Sequence, residues 1–264
     1  MNNLTDQQKG SLLAFVAVMF ITPDSLFIRL SNVDTWGLVF YRGVIPFFTV
    51  FVGMLLIYKL NFFKMLFTSG YHGLIYVSTF SVTNITFVVS IQNTNVANTL
   101  VMIATAPMLS AILGAIFLKE PPDRKTWASI IITFLAIIYI FSDSIKLGNF
   151  YGDILGFITA IGLAVGAVTI RSAKSKNLVP AAVVGKLFVA TFALFFIESF
   201  VLENKDLIIV PLMCILCVAI PLVLVTIAPR FVPAAEVNLF FLLETIIGQI
   251  WVWFIIKERP TIVS

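Results

Sequence analysis

Charge is what this sequence has least of. Only 11% of its 264 residues are Asp, Glu, Lys or Arg, against 60% hydrophobic. A soluble domain carries about 25% charged residues. A chain this poor in charge cannot cover itself with polar surface and belongs in lipid. Histidine is nearly absent: His72 stands alone, which leaves a histidine-based metal site without ligands. The two cysteines, Cys214 and Cys217, sit in the uncharged run PLMCILCVAI. With no nearby charge to hold a thiolate, they read as buried small hydrophobes and not as a redox or metal pair. The sequence also lacks a GxSxG elbow, an HExxH pair and a phosphate loop, and its aspartates are scattered. No enzyme chemistry and no cofactor are therefore expected. The net charge of +4 has no basic, aromatic-interleaved patch behind it, which excludes nucleic acid as a partner.

What is present is a series of long apolar runs, each near the 20 residues that a bilayer-spanning helix needs. Nine are expected, near 11–30, 36–58, 70–91, 96–118, 126–142, 152–171, 181–201, 207–228 and 233–256. The first is too long for a cleaved signal peptide and lacks a small-x-small cleavage site, so it reads as a resident span. If the N-terminus is cytoplasmic, eleven Lys and Arg lie at inside ends and five outside, with Arg42 uncounted inside a helix. The excess of inside cations orients the chain with its N-terminus in the cytoplasm.

The chain also repeats itself. A shift of 138 places Lys119-Glu120-Pro121-Pro122 on Lys257-Glu258-Arg259-Pro260 and Asn98 on Glu236. A shift of 142 places GSLLAF (10–15) on GDILGF (152–157) and Ile28-Arg29 on Ile170-Arg171. Two near-equal offsets imply a duplication of about 140 residues. The expected units are 1–146, with five helices, and 147–264, with helices six to nine. Five is odd, so the second copy enters the membrane from the opposite side, an inverted repeat of the kind that places a binding site at the midplane. Trp127, early in the fifth span, maps one position past Ser264. The expectation is thus a tenth helix missing from this chain, as in a fragment or a nine-helix variant.

Along its whole length the pattern resembles the EamA-type drug/metabolite transporter (DMT) superfamily, built as ten helices from two five-helix repeats. The resemblance is carried by FYRGVIPFF (40–48), NTNVANTLVMIATAPMLSAILGAIFLKEPP (93–122) and FVPAAEVNLFFLLETIIGQIWVWFIIKERP (231–260). Thr245 departs from the pattern, which often has proline after the position of Glu244. The resemblance implies an all-α polytopic membrane helix bundle. It also implies alternating-access transport of small polar metabolites, amino acids or related compounds, across a bacterial cytoplasmic membrane, with export favoured. Uptake of a nucleoside, vitamin or other metabolite is the alternative, as is a non-transporting structural membrane protein.

Ionisable groups at helix depth are functional candidates, because each costs several kcal/mol unless paired or facing water. Asp24 follows Pro23 in the first span; Glu244 lies near the middle of the ninth and Glu236 nearer its start. Arg42 and Lys186 occupy similar positions in the second and seventh spans. Glu244 and Asp24 are expected at a central cavity, able to bind protons or a substrate amine, and Arg42 is a candidate for an anionic group. Both cations are long enough to reach the nearest membrane interface instead, and that is the expectation for them. Asn84 and Asn98 are the uncharged candidates for lining the pathway. Pro23, Pro46, Pro107 and Pro221 are expected to kink their helices. Gly152, Gly156, Gly162 and Gly166 give the sixth span two GxxxG faces for close packing within the protomer.

Overall fold

The computed structural model describes residues 5–120, 132, 150–203 and 205–257. The expected fifth span (126–142) and the junction between the two repeats lie outside these residues, as does the end of the chain after 257. Among the described residues every regular element is a helix.

The first span starts earlier than its apolar run. Thr5 and Gln8 form a reciprocal capping box, Gln8 N–H to Thr5 Oγ1 at 3.3 Å and Thr5 N–H to Gln8 Oε1 at 2.9 Å. Helix α1 (Asp6–Ile21) therefore begins in polar sequence. It breaks at Thr22-Pro23 and resumes as α2 (Asp24–Leu30). Pro23 has no N–H for the carbonyl of Met19, four residues back. The hydroxyl of Thr22 takes its place and donates to that carbonyl at 3.1 Å. A broken helix is tolerated in lipid when a side chain re-satisfies the freed group in this way.

The second span is α3 (Thr35–Tyr58), capped by Asp34, whose Oδ2 accepts from Gly37 N–H at 2.9 Å. It runs through Pro46 without a break. The third, α4 (Asn61–Asn93), begins nine residues before the expected 70. Gly70, at φ 58° and ψ −141°, turns a short leading segment onto the span, a conformation open to glycine. That segment buries Phe62 and Ser69 and exposes Leu60, Phe63 and Phe67. The fourth span is α5 (Val96–Ile103), capped by Asn95, then α6 (Ala106–Leu113) and a π turn, Gly114–Leu118. Pro107 sits at the start of α6, where its missing N–H costs least.

The sixth span is α7 (Phe150–Ser172). The seventh, α8 (Val179–Ala193), stops eight residues before the expected 201. Its 15 residues cover about 22 Å at 1.5 Å each, less than the ~30 Å hydrocarbon core. The chain leaves the helix because its aromatics have better partners on α3. Phe196 stacks on Trp36 at 4.6 Å, Phe200 meets Phe40 at 5.3 Å, and the Tyr41 hydroxyl donates to the Phe200 carbonyl. The eighth span joins α9 (Asp206–Met213), a π turn over Cys214–Ala219 and α10 (Ile220–Ile227), ending in a 3₁₀ turn at Ala228–Arg230. The π turn precedes Pro221, another proline without a donor. The ninth is α11 (Ala234–Ile256).

Seven of these spans are long and apolar enough to cross a membrane, α8 being the shorter one. Leu56, Leu60, Phe67, Leu74, Phe195 and Phe254 are among the outward-facing side chains more than 70% exposed. A water-facing surface does not carry such a ring of large apolar groups. The protein is an all-α, multi-pass membrane helix bundle.

The packing has a regular plan. First span packs on eighth (α1 on α10) and third on sixth (α4 on α7). Second packs on seventh (α3 on α8), and fourth on ninth (α6 on α11). First also meets ninth (α1 on α11), as sixth meets fourth (α7 on α6). Exchanging each span n for n + 5 turns these pairs into one another. Lys119 and Lys257, 138 residues apart, close their helices in the same left-handed conformation, φ 58° and ψ 30° against φ 61° and ψ 19°.

Glycines set the closest approaches. A Cβ on Gly162 would lie 2.0 Å from Thr83 Oγ1, and one on Gly152 2.7 Å from Thr94 Cβ. Gly156 faces Ser90 and Gly166 faces Tyr76. All four expected glycines of α7 therefore pack on the third span, within the protomer. Gly43 does the same for α3 and α8, where a Cβ would meet the backbone nitrogen of Ala190 at 2.6 Å.

Candidate functional site

A cavity of about 140 Å³ lies between the two halves of the bundle. That is roughly ten times the space one water needs, room for a small metabolite. It is lined by α1, α2, α3, α4, α5, α7, α8, α10, α11 and the π turn before α10. Most of its wall is apolar, from Ile21, Phe80, Phe87, Leu163, Leu222 and Phe241 among others. Among the described residues four side chains of acidic or basic type face it: Asp24, Arg42, Lys186 and Glu244. All are buried, at 2%, 3%, 0% and 3% exposure.

Asp24 and Arg42 form one unit. The guanidinium meets the carboxylate with both prongs, Nη1 to Oδ1 at 2.5 Å and Nη2 to Oδ2 at 2.7 Å. This fork-to-carboxylate geometry is the strong form of the ion pair. The break at Pro23 lets α2 present Asp24 toward α3, and the Phe87 ring lies under the guanidinium, 5.7 Å away. Arg42 is thus held inside the bundle and does not extend to an interface.

Lys186 is also inside, contrary to the expectation drawn from its length. Its ammonium donates to Oδ1 of Asn84 and lies 5.4 Å from the Phe80 ring. The amide of Asn84 is fixed in turn, because its Nδ2 donates to the Phe80 carbonyl at 2.7 Å. An ammonium has three donors, and among the described residues one is used. Among the described residues no carboxylate lies within 4 Å of it. The cost of bringing a cation to an interface is low only where a path leads there. Here α4 and α3 close over the lysine from both sides.

Glu244 stands apart from these pairs. Among the described residues its carboxylate makes no hydrogen bond and no ion pair within 4 Å. It lies within electrostatic reach of Asp24, which repels it, and of Arg42, which attracts it. It is 3% exposed and lines the cavity, whose wall is mostly apolar. The residue after it, Thr245, donates its hydroxyl to the Leu100 carbonyl at 3.2 Å and ties α11 to α5.

The structure therefore brings together Asp24, Arg42, Asn84, Lys186 and Glu244. It does not bring Asn98 or Glu236 to the cavity. Asn98 is buried away from it, donating to Asp153 Oδ2 at 3.3 Å, while Thr94 Oγ1 donates to Asp153 Oδ1 at 2.7 Å. Glu236 lies half-buried in the first turn of α11. Three lining residues were not anticipated from sequence. Asn238 donates to the Ser110 hydroxyl, the Tyr76 hydroxyl shares a bond with Thr226 Oγ1 at 2.9 Å, and Thr159 bonds Thr86 at 2.8 Å. Asn238 was within reach of a pattern, since 238, 241, 244 and 248 form a buried stripe at spacings of three and four. The pairs of Tyr76 and Thr159 depend on which helices meet.

On α7 the cavity is lined by residues 159–170, on α10 by 221–225 and on α11 by 238–244, in the half toward the N-terminal face, while Ile21, Asp24, Arg42 and Phe87 line it from the half toward the other face. The opposite face is closed by Arg29 donating to the Thr94 carbonyl at 2.6 Å and by the Asn32 N–H on Asp206 at 3.2 Å. A core of Ile28, Leu38, Ile91, Leu100, Met213 and their neighbours fills the space between.

Compared with known proteins, residues 8–142 match the family described as the EamA-like transporter family. A crystal structure of another protein superposes with a TM-score of 0.74 at 12% identity, covering 96% of this chain and 91% of that one. At that identity the likeness concerns the fold. No curated protein matches the sequence.

Proposed function

Because the chain belongs to the EamA-like transporter family, a family of DMT-type membrane transporters, we propose that it exports small polar metabolites by alternating access. Amino acids and related compounds are the first candidates, and the membrane is the bacterial cytoplasmic one with the N-terminus inside. The observation that carries this reading is the buried cavity between the halves, lined by Asp24, Arg42, Lys186 and Glu244, of which Glu244 lacks a counter-ion among the described residues. An unpaired carboxylate at that depth costs several kcal/mol. It is relieved either by a proton or by a cation from a ligand. One carboxylate cannot hold both at once, and that exclusion exchanges substrate against protons.

The packing pattern, which is unchanged when each span n is exchanged for n + 5, and the matched left-handed ends at Lys119 and Lys257 support a duplication into 1–146 and 147–264. Two halves that pack alike but run oppositely can rock about a site between them. The lining on α7, α10 and α11 reaches the half toward the N-terminal face, the side where an exported molecule would enter. Breaks at Pro23 and at the π turn before Pro221 lie beside the cavity, where they can bend as the halves rock.

The test is flux in reconstituted vesicles with an imposed pH gradient. Glu244→Gln is expected to abolish gradient-driven accumulation while leaving the protein folded. Gradient-driven flux that survives the substitution would remove the proton role from Glu244.

A further inference from the structure

Two opposite charges face this one cavity, and among the described residues neither has a counter-ion. Among those residues the Lys186 ammonium uses one of its three donors, on Asn84. The Glu244 carboxylate uses none of its acceptor positions among the described residues. The other two charges, Asp24 and Arg42, satisfy each other through two short hydrogen bonds. The cavity thus has a neutral pair and two open poles, one on α8 and one on α11. A buried charge without a partner is costly, and a ligand charge of opposite sign removes that cost. An anion alone would satisfy Lys186 and leave Glu244 to a proton, and a cation alone would satisfy Glu244 and leave Lys186 without a counter-charge. A ligand carrying both signs satisfies the two together, with no proton taken up by Glu244.

We infer that Lys186, with Asn84, holds the anionic end of a zwitterionic ligand and that Glu244 holds its ammonium, fixing the ligand in one orientation across the cavity. The inference rests on the transport reading above but concerns recognition. Lys186 and Glu244 are the specificity-determining residues. Asp24 and Arg42 act as a sealed spacer that takes no part in the choice. The apolar wall between the poles, including Phe80, Phe87 and Phe241, receives the rest of the molecule.

The full-length chain in lipid nanodiscs, without any gradient, separates recognition from transport. Equilibrium binding is measured for leucine, phenylalanine and lysine, each beside its C-terminal amide and its deaminated acid. Wild type is expected to bind at least one zwitterion about tenfold or more tightly than both of its analogues, a difference of about 1.4 kcal/mol. In Lys186→Met the preference over the amide collapses toward one, and the preference over the deaminated acid persists. Glu244→Gln gives the mirror image. Lys186→Arg keeps the anion preference, and a monodisperse elution profile for each variant shows that the fold is intact. The inference is overturned if no zwitterion outbinds both analogues in wild type. It is equally overturned if either substitution erases both preferences together. Flux without such selectivity would sink the orientation and leave the transporter standing, whereas selective binding without flux would do the opposite.

Discussion

Residue by residue, the buried charges differ in kind although they share a depth. Asp24 and Arg42 are a saturated pair, so each is stable only while the other is present. Removing one partner of a buried pair costs about 3–5 kcal/mol, while replacing both is often neutral. Asp24→Asn and Arg42→Met are therefore each expected to lower the thermal midpoint of the detergent-solubilised protein sharply. The double variant should recover most of the loss. Equal additive losses in the double variant would mean that the bidentate contact stabilises nothing. The sequence marked all four charges as unusual, since a charge within an apolar run stands out in any reading. It could not say which were paired. Arg42 and Lys186 have side chains of similar reach and lie at similar helix positions. Only their neighbours, a carboxylate for one and an amide for the other, tell them apart.

At the scale of the helices, the prolines and glycines carry most of the design. Pro23 and Pro107 break their spans, whereas Pro46 does not, although all three lie in apolar runs. At Pro23 the freed Met19 carbonyl is taken by the Thr22 hydroxyl, so the chain can turn there without an orphaned acceptor. Pro107 falls in the first turn of α6, where its missing N–H costs least. Glycine works through proximity. Gly43 lets α3 lie against the backbone of α8 at Ala190, and that contact holds Arg42 and Lys186 at one cavity. Gly43→Ala inserts a Cβ 2.6 Å from a backbone nitrogen that cannot swing aside. Overpacking of this sort costs about 1–3 kcal/mol, expected as a lower midpoint in thermal unfolding and weaker ligand binding together. Gly53, with no atom within 4 Å of its Cβ position, is the control: Gly53→Ala should change neither. The GxxxG faces of α7 were visible in the sequence. Gly43, a lone glycine beside an arginine, carried no such pattern.

For the whole molecule, orientation is the property on which the direction of transport depends. With Cys214 and Cys217 replaced by alanine, a single cysteine at Gln7 is expected to react with a membrane-impermeant maleimide only after the cells are opened. One placed at Asn32, at the opposite end of the first span, should react from outside in intact cells. The reverse pattern would place the N-terminus outside and remove the orientation assumed for export. The same scale explains what the sequence decided. Composition fixed the solvent, because a chain with so few charges has no soluble alternative. The lengths of its apolar runs fixed most spans, because the bilayer demands a set number of residues. The shared phrase at Lys119 and Lys257 marked two helix ends, and both close in the left-handed conformation. Tertiary structure alone decided the rest. It ended α8 early, because aromatic partners on α3 outcompeted a longer helix. It kept Asn98 and Glu236 away from the cavity and drew Asn238, Tyr76 and Thr159 to it, because which face of a helix is central depends on its neighbours. It paired Asp24 with Arg42 and left Lys186 and Glu244 open, because charge pairing is set by distance across the bundle, and distance along the chain carries no record of it.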